Sequence, residues 1–392
     1  MRSLRLKYVA RLVPGQAPNS ESVEPLVAGF PFLQGNAEFG VESPTPRLQC
    51  VSPSKRAAAG DVLISVRAPV GALNIADQVY GIGRGLCAVR AEKCEPRFLW
   101  WWLHSQVVNL NSVATGSTYA SVTAEDLATL PFPDIPRLLQ RRIADFLDME
   151  TGRIDKVRAA RGRMKALLKL KRERVIERLV EAGNQQEVPL KHLVDAVTVG
   201  IVVTPAAWYV EDGGVPALRG INIKPGRIDA RDLAQISHEG HVVHRKSRLR
   251  SGDLVVVRTG QAGATAAVPP EYDGANCVDL VIVRPGRSLV PRFAEYLLNS
   301  SYAKRRVAEF SVGSIQSHFN VAAMKAMPVP RKSVPEQRRI VAEIDRAVEP
   351  IDEVIRLIQY QDELLAERRQ SLIAAAVTGR VDVPTAQRAN LP

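Results

Sequence analysis

No Gly-Lys dipeptide occurs in the 392 residues, so the chain cannot build a phosphate-cradling P-loop, and no nucleotide-driven motor is expected. No Asp or Glu has Lys two positions later, which removes half of the common signature of metal-dependent nucleases. The single Pro-Pro, Pro269-Pro270, follows Val268, so the Asn/Asp-Pro-Pro-aromatic loop of amino-methyltransferases is absent too. Cys50, Cys87, Cys94 and Cys277 form no CxxC pair, and the sequence opens without a charged-then-apolar leader. No apolar run approaches the ~20 residues that cross a bilayer. A soluble chain of the reducing cytoplasm, with no catalytic motif of its own, is the expectation.

Two clusters invite chemistry and are better read as structure. His238, His241 and His244 lie in HEGHVVH, but a zinc-protease helix needs histidines four apart with glutamate after the first. Val242 stands where that second histidine belongs and Gly240 weakens a helix, so a solvated loop or strand edge is expected. Trp100-Trp101-Trp102 suggests base stacking, yet only an aromatic at Trp101 recurs downstream, as Tyr296, which suits a core contact. Cys87 and Cys94 read as small buried hydrophobes.

What the chain does have is positive charge and duplication. A formal charge of +12 makes a polyanion the leading partner, with nucleic acid ahead of an anionic membrane. Gln140-Arg141-Arg142-Ile143 reappears as Gln337-Arg338-Arg339-Ile340, 197 positions later. Each copy follows a proline-spaced segment, Leu130-Pro131-Phe132-Pro133 or Met327-Pro328-Val329-Pro330, and opens a long helical pattern. Upstream, Phe30-Pro31-Phe32-Leu33-Gln34-Gly35 answers Val215-Pro216-Ala217-Leu218-Arg219-Gly220 at an offset of 185, and Gly60-Asp61 answers Gly252-Asp253 at 192. Pro96-Arg97-Phe98 answers Pro291-Arg292-Phe293 at 195, and Gly116-Ser117 answers Gly313-Ser314 at 197. An offset that creeps upward is the mark of a tandem duplication with small loop insertions.

The expected fold is therefore α+β, with a pseudo-two-fold internal repeat. Residues 1–134 and 184–331 read as similar strand-rich domains, 135–183 and 332–380 as long helices, and 381–392 as a tail. Steps of four and three place Ile143, Leu147, Ile154, Val157, Met164 and Leu168 on one stripe, and Ile340, Ile344, Ile351 and Leu365 on its twin. Gly152 and Pro350 fall at matching places, predicting a short helix, a kink or break, then a helix of roughly 45 Å at 1.5 Å per residue. The first helical region, 137–186, has 14 Lys+Arg and 7 Asp+Glu, whereas 334–383 has 7 and 10. Opposite charge and matching stripes predict that the two helices pair as an antiparallel coiled coil.

Loop residues at equivalent places in both halves are the candidates for touching nucleic acid. In the first half these are Gln34, Asn36, Arg67, Ser117, Thr118, Tyr119 and Ser121. In the second they are Arg219, Asn222, Lys224, Arg258, Thr259, Gln261, Ser314, Gln316, Ser317 and His318. Arg, Asn and Gln read base edges bidentately, while hydroxyls and backbone N–H groups hold phosphates.

Taken together, the layout resembles the specificity subunit of type I restriction-modification systems. The residues that carry the resemblance are the Pro-x-Pro then Gln-Arg-Arg-Ile openings, the Leu147-Asp148 and Ile344-Asp345 pairs, the Ile154-Asp155 and Ile351-Asp352 pairs, and the closing Ala376-Val377-Thr378-Gly379-Arg380-Val381-Asp382-Val383. The first copy departs with Leu139-Gln140 for Glu-Gln and ends in Val180-Glu181-Ala182-Gly183. The resemblance implies two target-recognition domains that read a bipartite, asymmetric site in double-stranded DNA, held apart by the paired helices. It implies a non-catalytic chain without cofactors of its own, flanked by two methyltransferase subunits that methylate adenines with S-adenosylmethionine. ATP and magnesium would belong to partner subunits, and a restriction subunit could join. Gln140, Ile143, Leu147, Ile154, Leu168, Gln337, Ile340, Ile344, Ile351 and Leu365 are the helix residues it assigns to spacing and partner contact. A two-lobed protein scaffold that binds no DNA is the competing expectation.

Overall fold

The computed structural model of the chain describes residues 2–18, 23–113, 121–182, 186–310, 321–381 and 383. They divide into two compact units, one of residues 1–162 with 359–392, the other of residues 163–358. Both units follow the same plan.

In the first unit, strand β1 (Ser3–Arg5) pairs antiparallel with the proline-spaced segment Pro131–Pro133, here β8, and so ties the two ends of the strand-rich part together. Prolines suit a two-stranded clasp because the edge of such a ribbon needs no N–H donor. Four antiparallel strands run in the order β2 (Ala10–Pro14), β7 (Leu86–Ala91), β4 (Val62–Ser65), β5 (Leu73–Ile75). In a second, five-stranded sheet, β3 (Pro31–Leu33) lies parallel to β6 (Tyr80–Ile82).

The second unit repeats each of these features. β9 (Glu187–Pro189) clasps β16 (Pro328–Pro330), and the main sheet runs β10 (Val194–Val199), β15 (Leu280–Pro285), β12 (Leu254–Val257), β13 (Thr265–Ala267). β11 (Val215–Leu218) lies parallel to β14 (Asn276–Cys277) in a four-stranded sheet. The repeated Gly-Asp has a structural cause in both: Gly60 and Gly252 each turn at φ +87°. The buried Asp61 then accepts from Arg90 Nε and Nη2 at 2.8 Å, and the buried Asp253 accepts from Arg284 Nε at 3.2 Å.

Helix α1 (Pro96–Val113) covers the first main sheet, and α2 (Pro291–Asn299) is its shorter counterpart in the second unit. Trp100, Trp101 and Trp102 on α1 are all buried, as the core reading expects.

The two long helices are Arg137–Glu181 and Val334–Val377, of 45 and 44 residues. Both continue as helix through Gly152 and Pro350, so of the expected kink or break the break is corrected to continuous helices of about 67 Å each. Proline inside a helix costs ~3 kcal/mol, and here it lies between the buried Val348 and Ile351. Gly152 would meet nothing within 4 Å if it carried a Cβ, so no crowding requires glycine there.

The helices pack antiparallel. In the first unit the start of one and the end of the other share a core: Ile143, Ala144 and Leu147 lie with Ile373, Ala376 and Val377, together with α1. In the second unit Ile176, Leu179 and Val180 lie with Ile340, Ile344 and Val348. Between these apolar ends the buried Ile154, Ile351 and Ile358 alternate with ion pairs, Arg158 Nε to Asp362 at 3.0 Å, Arg369 Nε to Asp155 at 3.2 Å and Arg172 Nε to Asp352 at 2.7 Å. The apolar stripe read from sequence is therefore out by one at alternate positions. Thr151 and Arg158 face inward, while Val157 and Met164 are exposed. Leu168 and Leu365 are half-buried, and Ile154 and Ile351 are buried.

Candidate nucleic-acid interface

Of the residues proposed as readers, Gln34, Arg67, Arg219 and Arg258 lie at the ends of equivalent strands. In the first unit Gln34 follows β3 and Arg67 follows β4 by two residues, and both are exposed. The turn Gly83-Arg84-Gly85, between β6 and β7, lies against both. Gly83 N–H donates to Leu33 O at 2.8 Å, and Val66 N–H donates to Gly85 O at 2.9 Å. A Cβ on either glycine would stand 2.9 Å from Gln34 O, so only glycine permits this approach. Ser121 pairs with Arg67 through an isolated antiparallel bridge, which brings a third candidate to the same edge. Asn36 opens a short 3₁₀ turn, Asn36–Glu38, and is half-buried.

In the second unit Arg219 follows β11 and Arg258 follows β12. A Cβ on Gly220 would lie 3.6 Å from Val257, so the two loops adjoin. Gly260 and Gly263, at φ +77° and +87°, close the turn that carries Arg258, Thr259 and Gln261, and the latter two are exposed. Arg258 Nη1 donates to Asp279 Oδ1 at 2.6 Å, and Arg219 Nη2 donates to the Asp232 carbonyl at 2.6 Å. Each guanidinium keeps a buried Nε–H without a partner among the described residues. Lys224 is half-buried on a small hairpin, Ile223–Lys224 with Arg227–Ile228.

Asn222 is corrected from reader to brace. It is wholly buried; its Oδ1 accepts from Arg219 N–H at 3.0 Å, and its Nδ2 donates to the carbonyls of Asp229 and Arg231 at 3.1 and 3.0 Å. HEGHVVH is corrected from a loop or strand edge to a short helix, His238–Val243, capped by Ser237. His241 Nδ1 lies 2.5 Å from Asn276 Oδ1, which fixes its ring within the fold. Ser117, Thr118, Tyr119, Ser314, Gln316, Ser317 and His318 lie outside the described residues.

Residues 52–156 match the family described as the type I restriction modification DNA specificity domain. The chain is 38% identical over 136 residues to the MjaX type I restriction enzyme specificity subunit of Methanocaldococcus jannaschii, covering 34% of this chain and 32% of that one. It is 24% identical over 178 residues to the StySPI type I restriction enzyme specificity subunit of Salmonella potsdam, covering 44% and 37%. The matched stretches thus span about a third of the length of these relatives. In fold, 97% of this chain superposes on 98% of a chain from a structure of type I R-M complex assembly and conformational transition, with a TM-score of 0.71 at 21% identity. Residues 52–156 of this chain thus carry a type I restriction modification DNA specificity domain, and its fold is that of the type I R-M chain.

In both copies the repeated glutamine of the helix openings has a defined job. Gln140 Oε1 accepts from Glu95 N–H at 2.8 Å, just before α1, while its Nε2 donates to Ile135 O at 2.9 Å. Gln337 accepts from Val290 N–H and donates to the Ser288 and Lys332 carbonyls, all at 2.8 Å. Both are buried, so their assignment to partner contact is corrected to an internal splice between the strand-rich part of each unit and its long helix. Ile143, Leu147, Ile340 and Ile344 are likewise taken up by their own cores.

A second splice escaped sequence reasoning. Arg97 Nε and Trp101 Nε1 both donate to Asp148 Oδ1, at 2.7 and 2.9 Å, and in the second unit Arg292 and Tyr296 both donate to Asp345. Burial and then Asp345 push the Tyr296 phenol up, so it stays a donor. The matching offsets of Arg97 with Arg292 and of Asp148 with Asp345 were the signal that could have joined these residues.

Proposed function

We propose that this chain is the DNA-reading subunit of a type I restriction-modification complex. Residues 1–134 and 184–331 act as two target-recognition domains for the unlike halves of a bipartite duplex site, and 135–183 with 332–380 act as the spacer between them. The observation that carries this reading is the pair of loop clusters at equivalent strand ends, Gln34 with Arg67 and Arg219 with Arg258, unlike in side chains and alike in frame. On a chain of net charge +12, side chains of these types suit base edges and phosphates.

The spacer offers partners an apolar surface. Val157, Tyr360 and Leu364 are exposed on the helices of the first unit, and Met164, Leu167, Leu170 and Leu357 on those of the second. Two methyltransferase subunits are the proposed occupants, bringing S-adenosylmethionine, and a restriction subunit would bring the use of ATP and magnesium.

Binding of the full chain to duplex DNA in a gel assay tests this. Affinity that falls steeply as salt rises from about 50 to 200 mM is the expected result, because each neutralised phosphate releases counterions. Absence of duplex binding at any salt would favour a protein scaffold instead.

A further inference from the structure

We infer that Arg84 is a base-reading residue of the first half-site and that its position decides how the two recognition domains differ. This rests on the DNA-reading function proposed above. Arg84 is exposed at the tip of Gly83-Arg84-Gly85, whose backbone is fixed on one side by Leu33 and on the other by Val66. Neither flanking glycine can gain a Cβ without striking Gln34 O, and this close backbone approach puts Arg84 in the same loop cluster as Gln34 and Arg67.

The second domain shows which part of DNA this position faces. There the matching turn, between β14 and β15, is Val278-Asp279. Val278 N–H donates to Leu218 O at 2.8 Å just as Gly83 N–H donates to Leu33 O, and Asp279 takes a left-handed φ of +52°. Asp279 neutralises Arg258, so the same place is cationic in one domain and a closed ion pair in the other. A phosphate contact would want positive charge in both halves. A base edge accepts the exchange, because arginine pairs bidentately with guanine O6 and N7 while a carboxylate takes the cytosine amine or holds an arginine in place.

The test is selection from a randomised duplex library by the full chain, its Arg84→Ala variant and its Arg84→Lys variant, with bound DNA sequenced and affinities measured against salt. Wild type is expected to select two half-sites. R84A should lose roughly 5- to 150-fold discrimination at a guanine of one half-site, the equivalent of one bidentate pair, and leave the other half-site unchanged. R84K should keep the overall affinity and salt slope and weaken that preference, because lysine lacks the planar two-pronged fork. Equal weakening on all sequences with a shallower salt slope in R84A would make Arg84 a phosphate contact and overturn the inference. So would unchanged selection by both variants. Wild type selecting no site at all would bring down the proposed function together with the inference.

Discussion

The two units share a frame and differ in what fills it. At α1 the first unit packs Trp100, Trp101 and His104 together, with the Trp100 and His104 ring centres 4.5 Å apart, and Arg369 stacks over Trp101 at 5.6 Å. The matching positions on α2 are Glu295, Tyr296 and Asn299. These line a cavity of about 300 Å³ with Arg172 and Asp352. Glu295 spends its carboxylate on Ala267 N–H at 2.9 Å and on Arg292. The anchors that join the strand-rich part to the long helix, Gln140 with Asp148 and Gln337 with Asp345, are the same in both units. Duplicated chains can vary a core side chain or a loop tip independently, provided the splice holds.

The comparison can be broken most strongly at the buried aspartates. Asp253→Ala should cost about 3–5 kcal/mol, because it strands Arg284 and leaves the Arg250 N–H without its acceptor. Asp61→Ala should cost less, about 2–3 kcal/mol, since the Arg90 side chain is 37% exposed against 20% for Arg284 and can reach water. Urea denaturation of the two variants checks the order; equal losses would mean that exposure of the stranded arginine does not matter.

The helix interruptions give a smaller effect of opposite sign. Pro350→Ala should stabilise by up to about 3 kcal/mol, since it restores a backbone donor in an unbroken helix. Gly152→Ala should add about 1 kcal/mol. A loss of stability in Pro350→Ala would show that the helix needs the proline's shape.

The smallest difference is one of pH. Burial, then Arg369 and Arg97, lower His104 to about 4, against an ordinary value of 6.5. The unfolded chain takes up a proton between pH 6.5 and 4 that the folded chain refuses, so this contribution is complete above 6.5 and is lost as pH falls through that window. His104→Asn, which copies Asn299, should flatten the fall in Tm between pH 7 and 5. Identical pH profiles for the two proteins would remove His104 from the account.

Much of this was legible in the sequence, and the failures have physical causes. The two-copy plan showed because Gly60-Asp61, the Pro-x-Pro clasps and Gln-Arg-Arg-Ile each meet a backbone need that side-chain drift cannot relax. The middle of the helix pair was misread because Arg158, Arg172 and Arg369 take inward places that a hydrophobic stripe assigns to apolar residues. Asn222 was misread because an amide that can grip adenine can equally grip a carbonyl, and only burial separates the two. Arg84 was missed because a three-residue turn has no periodicity, and its meaning appears only when Gln34 and Arg67 are seen on either side of it.

The most direct measurement is a map of methylated adenines in host DNA with the gene present and deleted. The account predicts a motif of two unlike short half-sites separated by a fixed unread gap, methylated only when the gene is present. A methylation map unchanged by the deletion, or a motif lost with the gene that has no gap or identical halves, would contradict it.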